Sequence, residues 1–165
     1  MRHIAALPLL ALLACSSAED SPTDTPSAVD SRNVGGIDYS AETLVMESFP
    51  VQLRTIVTAR NTTDAAVELG FGDPCVAHLR AYADSSRSGE PVWDQQRLMA
   101  CVTVVFGDTI AAGDTAQYTA PHADGYDILG DSLPDGRYWL TATLRPNGQA
   151  LEVPAGVVDL GIPRD

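Results

Sequence analysis

The sequence predicts an all-β protein whose single folded unit is an immunoglobulin-like antiparallel β-sandwich, placed after a signal peptide and a flexible linker. Apolar and polar residues alternate with a period of two in several short runs. Turn residues separate these runs at roughly the spacing found in sandwiches. No stretch of sequence carries a helical apolar stripe with capping residues. A small β-barrel is the alternative architecture.

The N-terminus has the composition of a signal peptide. Arg2 supplies a positive charge, and residues 4–14 (IAALPLLALLA) are apolar apart from Pro8. At about 1.5 Å per residue, this run is too short to cross a hydrocarbon core of about 30 Å as a helix. We therefore expect residues 1–14 to be a signal peptide rather than a transmembrane segment.

Cys15 follows this run directly and is the first of three cysteines. The segment Leu12-Leu13-Ala14-Cys15 resembles the bacterial lipobox, in which the chain is cut before the cysteine and the thiol is lipidated. We expect Cys15 to carry the lipid; secretion after Ala14 or Ala18, with a free thiol, is the alternative. The expected location is the bacterial cell envelope, facing the periplasm or the cell surface, with the lipid as the only membrane contact.

Residues 15–36 are rich in Ser, Thr, Pro and Asp and predict a flexible linker, which leaves 37–165 as the folded domain. The chain has ten basic residues, all Arg, and a net charge of −12. Without the signal peptide, 9 Arg remain against 22 Asp and Glu, a charge of −13. Such a surface repels nucleic acid and anionic lipid, so neither is expected as a partner. The charge favours solubility and would also suit a basic protein partner.

Cys75 and Cys101 are the two cysteines left if Cys15 is lipidated. In an oxidising compartment they can form one disulfide, which would stabilise the fold by about 3.5 kcal/mol in the chain-entropy model. A metal site is the competing interpretation. Only His78 and His122 follow the signal peptide, and neither has metal-ligand spacing. We therefore expect the disulfide, with no metal and no cofactor.

The first strands are predicted around the segment Asn61-Thr62-Thr63-Asp64. Residues 51–60 alternate before it and residues 66–71 alternate after it, so pattern and turn residues together predict a β-hairpin. Five more strands are predicted at residues 76–83, 101–106, 115–120, 137–144 and 150–160.

The stretch Leu133-Pro134-Asp135-Gly136 predicts a turn that leads into a strand starting near Tyr138. A tyrosine that leaves such a corner often returns its hydroxyl to the preceding backbone. Trp139 would then lie on the opposite face of the strand, as cover for the sheet or as an exposed contact residue.

The order of the predicted strands and turns from Val51 to Leu144 resembles that of the BsuPI family, the domain of an intracellular proteinase inhibitor. A strand ends in Asn61-Thr62-Thr63-Asp64, and a second strand precedes Pro91-Val92-Trp93-Asp94. A further strand ends at a turn, and Pro134-Asp135-Gly136-Arg137-Tyr138 opens the closing hairpin. The resemblance implies an immunoglobulin-like fold and binding to a proteinase.

The chain departs from the family at two points. Its turn Ala111-Ala112-Gly113-Asp114 lacks the family's Pro-Gly-Glu, and its expected export contrasts with an inhibitor that acts in the cytosol. No set of inhibitory residues transfers to positions of this chain.

Catalytic residues are not expected. His78 and His122 are available as bases, yet the chain has no G-x-S-x-G elbow or similar local signature. The acidic connection 121–136, with Asp124, Asp127 and Asp131, could offer oxygen ligands to Ca²⁺, but its spacing does not match the known calcium loop. Solvated turn carboxylates are the simpler interpretation.

Two non-enzymatic functions remain as hypotheses. The first is proteinase inhibition through an exposed loop, either residues 85–91 (SSRSGEP) with Arg87 near the tip or the connection 121–136. The second is a surface adhesion or envelope-assembly module without inhibitory activity, favoured if Trp93 and Trp139 share an exposed face. The candidate contact residues are therefore Arg87, Trp93 and Trp139, and the oligomeric state is left open.

Overall fold

The computed structural model describes residues 30–46, 48–130 and 132–161. The predicted signal peptide, Cys15 and the first part of the linker lie outside the described residues. Every strand pairing within them is antiparallel, which confirms the all-β sandwich. No helix in the described part of the chain is long and apolar enough to cross a membrane.

The structure consists of short strands joined by turns and three short helical segments. The strands are β1 (Arg32–Val34), β2 (Ile37–Met46), β3 (Gln52–Asn61), β4 (Val67–Phe71), β5 (Ala77–Tyr82), β6 (Trp93–Asp94), β7 (Phe106–Ile110), β8 (Thr115–Thr119), β9 (Ala123–Asp124), β10 (Gly136–Leu144) and β11 (Leu151–Leu160). The α-helix α1 spans Gly125–Leu129, and two 3₁₀ helices span Gln95–Leu98 and Pro146–Gly148.

Two sheets enclose the core. The first has the order β1-β2-β3-β8, with β9 also paired to β3, and the second has the order β11-β10-β5-β6. A separate pair, β4-β7, completes the sandwich. Alternate residues of β3, β10 and β11 point inward and are buried, because a strand directs successive side chains to opposite faces. β11 packs beside β2, which brings the two sheets together at one edge.

The predicted hairpin of residues 51–60 and 66–71 is wrong in its pairing. Both segments are strands, but β3 pairs with β2, β8 and β9, whereas β4 pairs with β7 from Val67 opposite Ile110 to Phe71 opposite Phe106. The period of two identifies a strand, but it does not identify the neighbour to which the strand is bonded.

The hairpin of β1 and β2 precedes the strands that the sequence predicted, and β1 falls inside the predicted linker. Its sequence signals are clear. Ile37, Tyr39 and Ala41 alternate with polar residues, and Gly35-Gly36 forms the turn with φ of 61° and 81°. A side chain at Gly36 would also collide with Thr63, since a Cβ there would lie 2.3 Å from the Thr63 Cγ2. The folded domain therefore begins before residue 37.

Four of the five further strands are confirmed as β5, β8, β10 and β11. The strand predicted at 101–106 is wrong, because residues 101–105 belong to no strand and β7 begins at Phe106. The predicted corner at Tyr138 is confirmed, since its hydroxyl donates a hydrogen bond to the Pro134 carbonyl oxygen.

Candidate functional site

The predicted disulfide between Cys75 and Cys101 is present, with the two Cα atoms 6.1 Å apart. Cys75 lies just before β5, where its backbone N–H donates to the Asp73 carboxylate at 2.9 Å. Cys101 follows the 3₁₀ helix Gln95–Leu98. The bond therefore ties the chain after this helix to the start of a core strand.

Gln95 anchors the same 3₁₀ helix from inside the fold. Its side chain is buried, its Oε1 accepts a hydrogen bond from the Leu79 N–H at 3.0 Å, and its Nε2 donates to the Pro121 carbonyl at 2.8 Å. Asp94 caps the helix by accepting from the Gln96 N–H at 3.0 Å. The chain that leads to Cys101 is therefore held in place by the buried amide of Gln95, by the helix cap of Asp94 and by the disulfide.

Between Cys101 and β7 lies an exposed run, residues 102–105 (VTVV), called the valine segment below. Val102, Val104 and Val105 are 67%, 54% and 79% exposed. The far end of the segment is anchored by Phe106, whose ring centre lies 5.4 Å from that of the core residue Phe71. The segment thus presents apolar side chains to solvent between two fixed ends. Its sequence signal is the apolar run itself, which predicts a strand where the structure has none.

Arg87 is placed differently from the predicted exposed tip of a loop. Its side chain folds back onto the second sheet, where Nε donates to the Leu140 carbonyl at 3.2 Å and Nη2 donates to the Gly156 carbonyl at 3.4 Å. Leu140 lies at the β-bulge between β10 and β11. The guanidinium therefore pairs with backbone groups of the bulge, and the partly exposed Arg87 is held against the sheet instead of extending from the loop.

Trp93 and Trp139 do not form one exposed face. Trp93 is opposite Ala81 and Trp139 is opposite Tyr82, and successive strand residues point to opposite faces. Trp93 faces the core and is only 9% exposed, whereas Trp139 is half-buried on the outer face. Trp93 is therefore buried in the folded state, whereas Trp139 is a half-buried neighbour of exposed Val157.

His78 is the buried histidine of β5, and only 7% of its surface is exposed. Burial lowers the pKa of its imidazole, an effect that nearby Asp73 and Asp94 oppose and Arg80 reinforces. Its Nε2 is buried and has no hydrogen-bond partner among the described residues. His122 is exposed, so the two histidines are in different environments.

Two carboxylates of the 121–136 connection, those of Asp124 and Asp127, cap α1. The Asp124 carboxylate accepts from the Asp127 N–H at 2.9 Å, and the Asp127 carboxylate accepts from the Asp124 N–H at 3.0 Å. This reciprocal capping box satisfies backbone donors at the start of α1. The oxygen atoms considered as calcium ligands therefore have a structural role; Asp131 lies outside the described residues.

No protein-family model and no curated protein matches the chain. Among solved structures, a structural-genomics target designated SoR45 matches with a TM-score of 0.35 and 16% identity, over 78% of this chain and 88% of that one. A β-glucosidase from Streptomyces venezuelae, DesR, matches with a TM-score of 0.37 and 14% identity over 79% of this chain. A β-glucosidase from Listeria innocua matches with a TM-score of 0.35 and 13% identity over 73% of this chain. The matched region spans 16% of each β-glucosidase.

Proposed function

We propose that the protein is a bacterial cell-envelope lipoprotein, anchored through Cys15, whose β-sandwich binds another protein and performs no chemistry. The favoured partner is a proteinase, which the valine segment would contact in its active-site cleft. The resemblance of residues 51–144 to BsuPI domains supports this class of partner. The valine segment is the observation that carries the proposal.

The anchoring of the valine segment is what suits it to inhibition. A loop that is already held in place loses less conformational entropy on binding than a mobile loop does. Here the disulfide at Cys101 and the packing of Phe106 hold the two ends, while the apolar side chains between them face solvent. The loop 85–91 is less suitable, because the Arg87 side chain is engaged with the sheet.

The side chains of the segment also indicate which proteinases to expect. The S1 pocket of a serine proteinase selects the residue it accepts, and a small apolar pocket suits valine whereas an acidic pocket suits arginine. Elastase-like and subtilisin-like enzymes are therefore favoured over trypsin-like enzymes.

The proposal is tested by the residual activity of all three classes after incubation with the oxidised full chain carrying Cys15→Ser. We expect stoichiometric inhibition of an elastase-like or subtilisin-like enzyme. Val104→Asp and Val105→Asp should each weaken it by at least about 10-fold, because a carboxylate in an apolar pocket is desolvated without a partner. Full activity of every enzyme in the panel would exclude proteinase inhibition for these classes.

Val157→Asp is the matched control, since Val157 is an exposed valine on β11. It should leave inhibition unchanged. The same variant tests the alternative, an adhesion or envelope-assembly module, which is favoured by the apolar neighbours Trp139 and Val157 on the outer face. If Val157→Asp abolishes co-purification of an envelope protein and no proteinase is inhibited, the assembly role replaces inhibition.

The anchor is tested separately by fractionation. The parent protein should partition into the membrane fraction and Cys15→Ser into the soluble fraction, because removal of the thiol removes the site of the lipid. Equal partitioning of the two forms would contradict lipidation at Cys15.

A further inference from the structure

Three potential metal ligands meet where β5 begins. One ligand atom from each of Cys75, His78 and Cys101 lies within 4.8 Å of the others. Two sulfur atoms and an imidazole nitrogen are the donor types that Zn²⁺ takes from proteins. The spacing of these residues in the sequence does not indicate a metal site, because Cys101 comes close to Cys75 and His78 only in the folded chain.

His78 gives an independent indication of a ligand. It is more than nine-tenths buried, and its Nε2 has no hydrogen-bond partner among the described residues. Buried side-chain nitrogens in native proteins are nearly always paired, so an unpaired one calls for an explanation. A metal ion that binds only in one redox state of the neighbouring cysteines would explain why this nitrogen has no hydrogen-bond partner.

We propose that Cys75, His78 and Cys101 form a redox-controlled zinc site, which is closed while the disulfide is present and opens when the disulfide is reduced. The reductant is a dithiol protein or small molecule. It transfers two electrons and two protons, so the S–S bond breaks, two thiols form, and the dithiol becomes a disulfide. Both thiols then release their protons as they bind the metal. This inference does not depend on the proposed inhibitory function.

The site is accessible and needs only a local rearrangement. Both cysteines are partly exposed, so a dithiol can reach the bond. Tetrahedral ligands about 2.3 Å from zinc lie about 3.8 Å apart, so the two sulfur atoms must separate after reduction. The Cα atoms, already 6.1 Å apart, leave room for that separation by side-chain rotation.

Charge and space favour Zn²⁺ over Cu⁺. Two thiolates neutralise Zn²⁺ but leave Cu⁺ with a negative charge, which the Asp73 carboxylate near His78 would repel; the nearby Asp94 is already paired with Arg80. A cavity of about 40 Å³, lined in part by Asp73, Cys75 and His78, adjoins the site. It can hold the single water that would complete a tetrahedral zinc site with three protein ligands.

The test uses the full chain carrying Cys15→Ser, so that Cys75 and Cys101 are the only cysteines. We expect the reduced protein to bind one Zn²⁺ per chain and the oxidised protein to bind none. Co²⁺ in place of zinc should give the intense visible absorption of a tetrahedral thiolate site. X-ray absorption of the zinc form should show two sulfur ligands, with nitrogen or oxygen in the remaining positions.

His78→Ala is the decisive variant and His122→Ala its matched control. We expect His78→Ala to weaken zinc binding by more than about 100-fold, since loss of even an outer partner costs 10- to 100-fold. His122→Ala should bind like the parent. Circular dichroism of each variant in the oxidised state shows whether the variant is folded. Weaker zinc binding by a folded variant can then be attributed to loss of a ligand. Equal zinc affinity of His78→Ala and parent, absence of the cobalt bands, or binding of Cu⁺ but not Zn²⁺ would overturn the assignment.

Discussion

The side-chain amide of Asn61, at the end of β3, donates a hydrogen bond at 2.9 Å to the carbonyl oxygen of Ile110, which is 49 positions away in the sequence. The same Nδ2 lies within hydrogen-bond distance of the carbonyls of Ala65 and Ala111, and the Oδ1 accepts from the Thr63 N–H. Asn61 thus joins the turn after β3 to the end of β7. This connection holds the end of β7, the partner strand of β4, beside the turn that leads into β4.

Asn61→Ala should lower the free energy of unfolding by about 3 kcal/mol, because it leaves the buried Ile110 carbonyl and several part-buried backbone groups without a partner. Asn61→Asp should cost at least as much, since it keeps the shape but places a carboxylate against carbonyl oxygens. Urea denaturation measures both. Asn33→Ala, at an exposed asparagine bonded to Asp38, is the control and should cost less than about 1 kcal/mol. A small effect of Asn61→Ala would contradict the role assigned to this amide.

Arg87→Ala should destabilise the domain by about 1.5 kcal/mol, because the carbonyls of Leu140 and Gly156 at the bulge lose their charged donor. Arg87→Lys should retain only part of the stability that Arg87 contributes, since an ammonium group lacks the planar fork of donors of a guanidinium. Thermal or urea unfolding measures the loss. Arg97→Ala, which removes an exposed pair with Glu90, should change stability by less than about 0.5 kcal/mol. If Arg87→Ala leaves stability intact but abolishes partner binding, Arg87 is a contact residue after all.

Tyr138→Phe should lower stability by about 1 kcal/mol through loss of the hydrogen bond to the Pro134 carbonyl. The ring remains buried, so the packing of β10 should be preserved. Tyr126→Phe, at an exposed ring on α1, serves as the control and should be neutral. Equal stabilities of the two variants would show that the corner contributes nothing.

Tyr39 should make the fold sensitive to alkali. Burial raises the pKa of its hydroxyl from 10.0 to about 12. Between these values the unfolded chain releases a proton that the folded chain retains, so stability falls as the pH rises above 10. The slope contributed by this residue is at most about 1.4 kcal/mol per pH unit. Burial also raises the pKa of Tyr118, which acts in the same direction.

Urea unfolding between about pH 8 and pH 11 checks this dependence. Tyr39→Phe should reduce the alkaline slope, because phenylalanine has no proton to lose. A slope identical to that of the parent would show that Tyr39 ionises equally in the two states.

Local patterns were sufficient to predict the class of fold and several of its parts. A period of two in β5, β8, β10 and β11 reflects one buried and one exposed face, a property that each strand carries in its own residues. The corner at Tyr138 depends on residues only a few positions apart. The disulfide was predictable once Cys15 was expected to carry a lipid, because that expectation leaves two cysteines to pair. The hairpin of β1 and β2 also has a local signal, since Gly35-Gly36 suits a tight turn and the residues of β2 alternate.

Strand partners, side-chain environments and the candidate sites were decided by the tertiary structure. An alternating strand fits any neighbour of suitable register, so the pairing of β4 with β7 depends on contacts between residues far apart in sequence, such as the bond from Asn61 to Ile110. Exposure is likewise a property of the whole fold, which buries Trp93, folds Arg87 onto a bulge and leaves the valine segment in solvent. Cys101 lies close to His78 in the fold, although part of β5, all of β6 and a 3₁₀ helix separate them in sequence. No local sequence pattern indicates a contact over such a separation.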